Sequence, residues 1–410
     1  MSKNVYDIIG IGIGPFNLGL AALCDPIKEL NCLFIDQNSN FNWHPGIMIE
    51  GTRLQVPFYA DLVTLADPCS KFSYLAFLKA KKRMFRFAIR EDYCIKRTEY
   101  NEYCRWVAGQ LPTLQFNTPC NAIEKENDFF RVRSGDKSWL TQKIVLGTGT
   151  VPFIPDFADI KSTNIIHSGD YLFSREDLQD KASITIVGNG QSAAEIFYDL
   201  LMAYTGKLNW FTRSKRFIPM DFSKLTLEMS TPDYIDHFYS LPERMKPAVL
   251  GNQDSLYKGI NKDLISAIYD LLDDRNDPAL RLHTNCELMK VTGNLELHFR
   301  HTEIEKTFVH QTDALILATG YRQVIPACIK PIRHLINFDK EGRYKAKRNY
   351  AVDESDSIFI QNAEMTTHGF NASDLSLGPY RNAVIINSIL GREHYSIETG
   401  ITFQSFGMPG

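Results

Sequence analysis

Residues 5–23 read VYDIIGIGIGPFNLGLAAL. Val5–Ile9 is a β-branched apolar run, and glycines at 10, 12 and 14 follow it before Pro15 and a second apolar stretch. The pattern is a strand, a tight glycine turn and a helix. Without side chains at Gly10, Gly12 and Gly14, the backbone can fold sharply and approach a pyrophosphate at the helix N-terminus. These glycines and Pro15 form a candidate cofactor-binding loop, spaced GxGxGP rather than as a strict GxGxxG. The next apolar run, NCLFID, ends at Asp36, about twenty residues on, where an acid accepts hydrogen bonds from ribose hydroxyls.

The signature occurs twice. Residues 183–195, SITIVGNGQSAAE, place Gly188, Gly190 and Ala193 after another strand, a GxGxxA spacing. The strand that follows, KLNWFT, ends in Arg213, Lys215 and Arg216 rather than an acid. Cations there favour the 2′-phosphate of NADPH over the free hydroxyls of NADH, and Arg213 is nearest the strand end. Two more strands end in glycine-threonine turns, QKIVLGTGTVP (142–152) and TDALILATGYR (312–322), and read as returns of the chain to a nucleotide-binding sheet. The expected fold is α/β with two Rossmann-like dinucleotide-binding domains. An FAD-type domain spans 1–170 and 310–410, with an NADPH-type domain inserted at 171–309. Within the insert, 216–282 reads as a small helical segment lying over the cleft, with loops at Pro219, Pro232, Pro242 and Pro247.

Composition narrows the chemistry. A net charge of −3 and a pI near 6.4 argue against nucleic acid as the main partner. The basic clusters at 79–83 and 343–348 read as solvated faces. No stretch approaches the roughly 18 apolar residues of a membrane span. The chain runs straight into its first strand, so no signal peptide is expected and a cytoplasmic setting follows. The eight cysteines include no CxxC and no zinc-type spacing with histidine, so neither a metal site nor a redox dithiol is expected. Two dinucleotide folds without a cysteine pair imply hydride transfer from NADPH to a flavin and then electrons to oxygen rather than to a disulfide.

At this point the residues resemble a known family, the flavin-dependent N-hydroxylating lysine/ornithine monooxygenases of hydroxamate siderophore synthesis. The matching segments are GIGPFNLGL (12–20), DQNSNFNWHPGI (36–47), LQVPFYADLVTLADP (54–68), IVGNGQSAAEIF (186–197), ATGYR (318–322) and QNAEMTTHGFNASDLSLGPYRNA (361–383). The resemblance implies that Asp36 through His44 run past the flavin nucleotide, with Trp43 and His44 nearest the isoalloxazine. Gln55 touches the flavin, and Asp374, Leu375 and Ser376 close its site. Gly188, Gly190, Gln191 and Ser192 hold the NADPH pyrophosphate, and Arg213 the 2′-phosphate. Read without the motif, Trp43 is ordinary core and His44 a satisfied loop histidine; His368 is either a hydrogen-bonding neighbour of the site or structural. The implied reaction is transfer of one O2 oxygen, through a flavin hydroperoxide, to a neutral primary amine. The resemblance also implies a homo-oligomer, dimer or tetramer.

Two positions depart from the amino-acid-hydroxylating members. Where they have FLKDL, whose lysine pairs with the substrate carboxylate, this chain has FYADL with Ala60. Where they have an asparagine in a pattern like FVNEIF, this chain has LTLEMS with Leu227. A buried carboxylate without a partner costs several kcal/mol. Both changes therefore point to an aliphatic diamine such as putrescine or cadaverine. Asp61, Glu228 and Asp233 are candidates for its charged end, with a structural role favoured for Asp61 and Glu228. The alternative is a lysine or ornithine hydroxylase using another cation such as Lys224. A Baeyer–Villiger signature around 157–171 fails at Asp159, and two complete fingerprints argue against a flavin-binding scaffold.

Overall fold

The computed structural model describes residues 5–158 and 164–408. Asp159, where the Baeyer–Villiger pattern breaks, lies outside them. Val5–Ile11 is the central strand of a seven-stranded sheet, parallel to Cys32–Ile35 on one side and Lys137–Leu146 on the other. Ala122–Glu126 and Phe129–Ser134 extend it as an antiparallel meander. The helix Pro15–Cys24 buries every residue from Asn17 to Cys24. A helix apolar all round is one packed on every side, and the helices Gly378–Leu390 and Arg97–Ala108 pack against it.

The second sheet is fully parallel and has five strands, in the order 165–167, 314–317, 183–187, 207–211, 280–283. Its strands are largely apolar because both faces are covered: Ile184, Ile186, Leu208 and Trp210 pack beneath helices, and Val187, Phe211, Leu315 and Leu317 pack on the antiparallel sheet of 286–311. This arrangement corrects the expected boundaries at 170 and 310. Ile165–His167 and Ala314–Leu317 both belong to the second sheet. The crossing lies instead at Thr150–Pro152 and Tyr321–Gln323, which pair antiparallel. The strand that returns to the first sheet is Ile358–Ile360, parallel to Lys137–Leu146, not the 312–322 run.

The 216–282 segment also divides. Lys262–Arg275 packs on the second glycine helix, Gln191–Ala203, and leads into the strand Leu280–His283, so it is the crossover helix of the second sheet. The helices Lys224–Leu227, Pro232–Ser240, Lys246–Gly251 and Asp254–Tyr257 form the cover. Among the described residues no helix is long and apolar enough to cross a membrane.

Candidate active site

The glycines of the first loop have separate jobs. Gly12 has φ +88°, and a Cβ there would stand 2.5 Å from the Gly147 carbonyl oxygen. It is the turn glycine. Gly10 lies within the strand, where a Cβ would meet the Phe34 ring at 2.2 Å, so it is a packing glycine rather than part of the loop. Gly14 precedes the helix, and among the described residues no atom lies within 4 Å of its would-be Cβ. Gly19, which the fingerprint spacing does not include, lets the helix pack closely on the Leu62 carbonyl: a Cβ there would stand 2.7 Å from that oxygen. The third fingerprint glycine, the one for close packing, is therefore displaced along the helix to Gly19.

Asn17, fully buried, pins this loop: its Nδ2 donates to the Gly12 carbonyl at 2.8 Å, and its Oδ1 accepts from Gln361 Nε2 at 2.6 Å. Asp36 stands at the strand end as expected. Its Oδ2 accepts from the Ile13 amide at 2.6 Å and its Oδ1 from the Asn38 amide at 2.7 Å.

Pro15, Phe16, Asp61, Tyr100, Leu375 and Asn382 line one cleft beside this loop. Three distant parts of the chain thus meet there: the glycine loop, the FYADL stretch and the Asp374–Ser376 turn. Asp374 Oδ1 accepts from the Ser376 amide at 2.9 Å and hydroxyl at 2.7 Å, which shapes that turn. Trp43 packs edge-on against Tyr100 and His44, each at 5.2 Å between ring centroids. His44 has left-handed backbone (φ 45°), and burial, with Arg97 second, lowers its imidazole pKa. Gln55 Nε2 is buried without a hydrogen-bond partner among the described residues. Unpaired buried donors are uncommon and mark a site for a missing acceptor. With the open face of Gly14, this orphan donor shows that the residues fit a flavin nucleotide.

In the second unit, Gly188 has φ +156°, and a Cβ there would lie 2.3 Å from the Ala318 carbonyl, where the loop abuts ATGYR. Gly190 leaves its face open, with only the Lys258 carbonyl at 3.8 Å. Gln191 and Ser192 open the helix, so their amides point out of its N-terminus. The Gln191 side chain is engaged elsewhere: Oε1 accepts from the Asn261 amide and Nε2 donates to Glu195, both at 2.8 Å. Only its amide is free for a phosphate. Asn189 reaches Ser214 Oγ at 3.1 Å, which joins the loop to the 213–216 strand end. Arg213 is exposed and forms no ion pair among the described residues, whereas Lys215 stands 4.0 Å from Glu303.

The substrate candidates divide sharply. Ala60 is 1% exposed and carries no charge into its surroundings. Asp61 is occupied: its two oxygens accept from the Val63, Thr64 and Tyr74 amides and the Thr64 hydroxyl, at 2.6–2.9 Å. It builds the loop that presents Ala60 and ties it to the start of the helix Tyr74–Ala80, so its acceptor sites are filled within the protein. Leu227 is 44% exposed on the cover. Glu228 accepts from the Phe403 and Gln404 amides, each at 3.0 Å, and Asp233 from the Gly400 and Ile401 amides at 2.8 and 2.7 Å. Both acids are spent on the backbone of 400–404, which accords with the structural role favoured for Glu228 and leaves Asp233 engaged there rather than free for an ammonium group. Lys224 is exposed at the start of its helix. His368 is structural: it stacks on Tyr350 at 4.4 Å and its Nδ1 meets Thr367 Oγ1 at 2.9 Å.

One buried pair gave no sequence signal. Arg381 and Glu364, 2% and 0% exposed, form a 2.8 Å ion pair, and Arg381 also donates to the Ala372 carbonyl at 2.7 Å. It fixes the start of the 370–376 loop beneath the cleft.

A sequence profile described as L-lysine 6-monooxygenase/L-ornithine 5-monooxygenase matches residues 4–323. The putrescine N-hydroxylase of Acinetobacter baumannii is 46% identical over 420 residues, covering 99% of this chain and 94% of that protein. The putrescine N-hydroxylase of Shewanella oneidensis is 45% identical over 423 residues, covering 99% of this chain and 85% of that protein. Among solved structures, the FAD-bound cadaverine monooxygenase of the desferrioxamine pathway of Erwinia amylovora has a TM-score of 0.97 at 44% identity, with 100% of both chains covered.

Proposed function

The chain belongs to the L-lysine 6-monooxygenase/L-ornithine 5-monooxygenase family, and from that premise we propose that it N-hydroxylates an aliphatic diamine for hydroxamate siderophore synthesis. The reaction is R–NH2 + NADPH + H+ + O2 → R–NHOH + NADP+ + H2O. Bound FAD would supply the redox chemistry, taking hydride from NADPH and activating O2. Putrescine and cadaverine are the substrate class, as in the names of the relatives that match over nearly the whole chain.

The observation that carries the reading is Ala60. It is buried at the position where amino-acid hydroxylases of the family place the lysine for the substrate carboxylate. A carboxylate here would lose its hydration and gain no cation. The chain's own residues do the rest. Gly12, Gly14, Asp36, Gln55 and the Asp374–Ser376 turn would hold FAD. The Gly188–Ser192 loop and Arg213 would hold NADPH. The reacting amine must be neutral although its free pKa is near ~10.4, and desolvation on binding would favour that form.

Self-association as a dimer or tetramer belongs to this reading, and the exposed Phe85 and Ile89 offer a candidate face. Light scattering of the wild-type protein checks it. A dependence on NADPH accords with the cytoplasmic setting read from the sequence. The deciding measurement is hydroxylamine formed per NADPH consumed with putrescine and cadaverine, beside lysine and ornithine. Equal turnover of either amino acid would overturn the diamine reading.

A further inference from the structure

The segment Gly400–Gln404 lies across the cover and is fastened by two carboxylates. Asp233 takes the Gly400, Ile401 and Thr402 amides and the Thr402 hydroxyl, at 2.7–3.2 Å. Glu228 takes the Phe403 and Gln404 amides and the Gln404 side-chain amide, at 2.9–3.0 Å. Gln404 also donates to the Leu225 carbonyl. Two residues on, the Phe406 ring packs edge-on against Tyr234 at 5.0 Å.

What is fastened matters because of where the cover rests. Tyr234 and Phe238 pack with Phe370, and Ile235 packs with Leu377 and Tyr380. Asn371 Nδ2 donates to the Met229 carbonyl at 3.0 Å. These contacts flank the Asp374–Ser376 turn, whose Leu375 lines the cleft. Leu227 immediately precedes Glu228 in the helical turn that the strap grips. Charge-assisted hydrogen bonds are about twice as strong as neutral ones, and here a row of them ends on one short backbone stretch.

We propose that Gly400–Gln404 is a strap that positions the helical cover over the amine site, and that Asp233 and Glu228 are the positioning residues that hold it. The cover's four helices are short, at four to nine residues each, and none of them carries a strand of the two large sheets; the strap supplies the missing constraint. In this arrangement the acids act on the substrate only through the cover. The role at the amine site rests on the diamine reading; the fastening itself does not.

The test uses the full-length Asp233→Asn/Glu228→Gln double variant and a chain ending at Thr399. Backbone hydrogen exchange, measured with no amine present, reads the fastening. The Ile401–Gln404 amides of the double variant should exchange at least tenfold faster than in wild type, and the 232–240 amides should follow in both variants. Unchanged exchange at 401–404 would overturn the role of the two acids, whatever the reaction proves to be. With putrescine or cadaverine, KM should rise about tenfold and hydroxylamine per NADPH should fall several-fold in both variants. Flavin reduction by NADPH should stay within about twofold of wild type. Faster exchange at 401–404 with unchanged KM and unchanged coupling would overturn the positioning role. Hydroxylamine absent from wild type with every amine would instead overturn the diamine reading, while the exchange result stands on its own.

Discussion

Arg97 and Glu195 form a 2.8 Å ion pair that joins the two nucleotide-binding units, with Glu195 only 3% exposed. Arg97 opens the helix Arg97–Ala108 of the first unit, and Glu195 lies on the second glycine helix. Through Glu195 the pair also reaches Gln191 and, beyond it, the Asn261 amide. Burial raises the Glu195 carboxyl pKa, while Arg97 pulls it back down. Arg97→Met leaves that carboxylate buried without its cation. Loss of one partner of a buried pair costs about 3–5 kcal/mol, and denaturant unfolding at neutral pH should show a loss of that order. The loss should shrink as pH falls, because an acid whose folded pKa is raised regains stability by protonation. A variant as stable as wild type at pH 7 would show that the pair does not bind the units together.

The glycines allow a paired test. Gly19→Ala would drive a Cβ to within 2.7 Å of the Leu62 carbonyl, so the FYADL loop or the helix must move. Apoprotein Tm should fall markedly, since such overpacking costs about 1–3 kcal/mol. Gly14→Ala meets nothing within 4 Å among the described residues. Its apoprotein Tm should match wild type while FAD affinity drops, because the added methyl group occupies the cofactor's path. Equal Tm losses in the two variants would remove the distinction between a packing glycine and a cofactor glycine.

Legibility in the sequence follows the range of the forces involved. Both glycine fingerprints could be read because strand, turn and helix are local and each leaves a periodic signature. Gly10 was misplaced because glycine for the turn and glycine against Phe34 look alike in a string. The boundaries at 170 and 310 slipped because strand membership is decided by pairing partners far along the chain, as Ala314–Leu317 beside Ser183–Val187 shows. The Asn17–Gln361 bond, the Arg381–Glu364 pair and the strap join residues with no shared pattern, and only the folded backbone brings them together. Ala60 and Leu227 could be found only by comparison with a family, since neither residue has chemistry of its own.

Arg213 is the exposed cation at the end of the strand Lys207–Phe211, next to the loop that carries Asn189. Arg213→Ala should raise the NADPH KM by one to two orders of magnitude, about 1.4–2.8 kcal/mol. NADH use should change little, because NADH has no 2′-phosphate to lose. Steady-state kinetics with both nicotinamides decides it; equal losses would mean that Arg213 does not read the phosphate.

His368 supplies a pH signature. Burial, and then the Arg348 charge, hold its pKa well below the ordinary value, so the folded protein keeps it neutral. The unfolded chain protonates it near ~6.5. A group with a lowered histidine pKa contributes stability that is present above the unfolded pKa and lost as pH falls below it. Each such group contributes a slope of at most about 1.4 kcal/mol per pH unit. Between pH 7.5 and 5.5 the wild-type unfolding free energy should therefore fall, and His368→Asn should flatten that limb. The variant loses the stack on Tyr350, so the slope, not the absolute stability, is the readout. An unchanged slope would mean that His368 is protonated in the fold.

Ala60 bears on the substrate most directly. Its side chain is buried beside the turn built by Asp61, so whatever replaces it is withdrawn from water. Putrescine and cadaverine should be hydroxylated in step with NADPH oxidation, whereas lysine and ornithine must bury a carboxylate against Ala60 without compensation. A few kcal/mol of that penalty is about a hundredfold or more in kcat/KM. Ala60→Lys should reverse the preference only in part. The new ammonium repels the charged end of a diamine and lowers its turnover, but ornithine also lacks the amide partner that Leu227 replaced. The double variant Ala60→Lys/Leu227→Asn should therefore gain more ornithine hydroxylation than either single change, a non-additivity expected of two groups that grip one carboxylate. Hydroxylamine per NADPH across the four amines and four enzymes gives the answer, since NADPH oxidation alone also counts wasted peroxide. Strictly additive effects would mean that positions 60 and 227 do not share a substrate group. Full ornithine activity in Ala60→Lys alone would assign the selectivity to position 60 by itself.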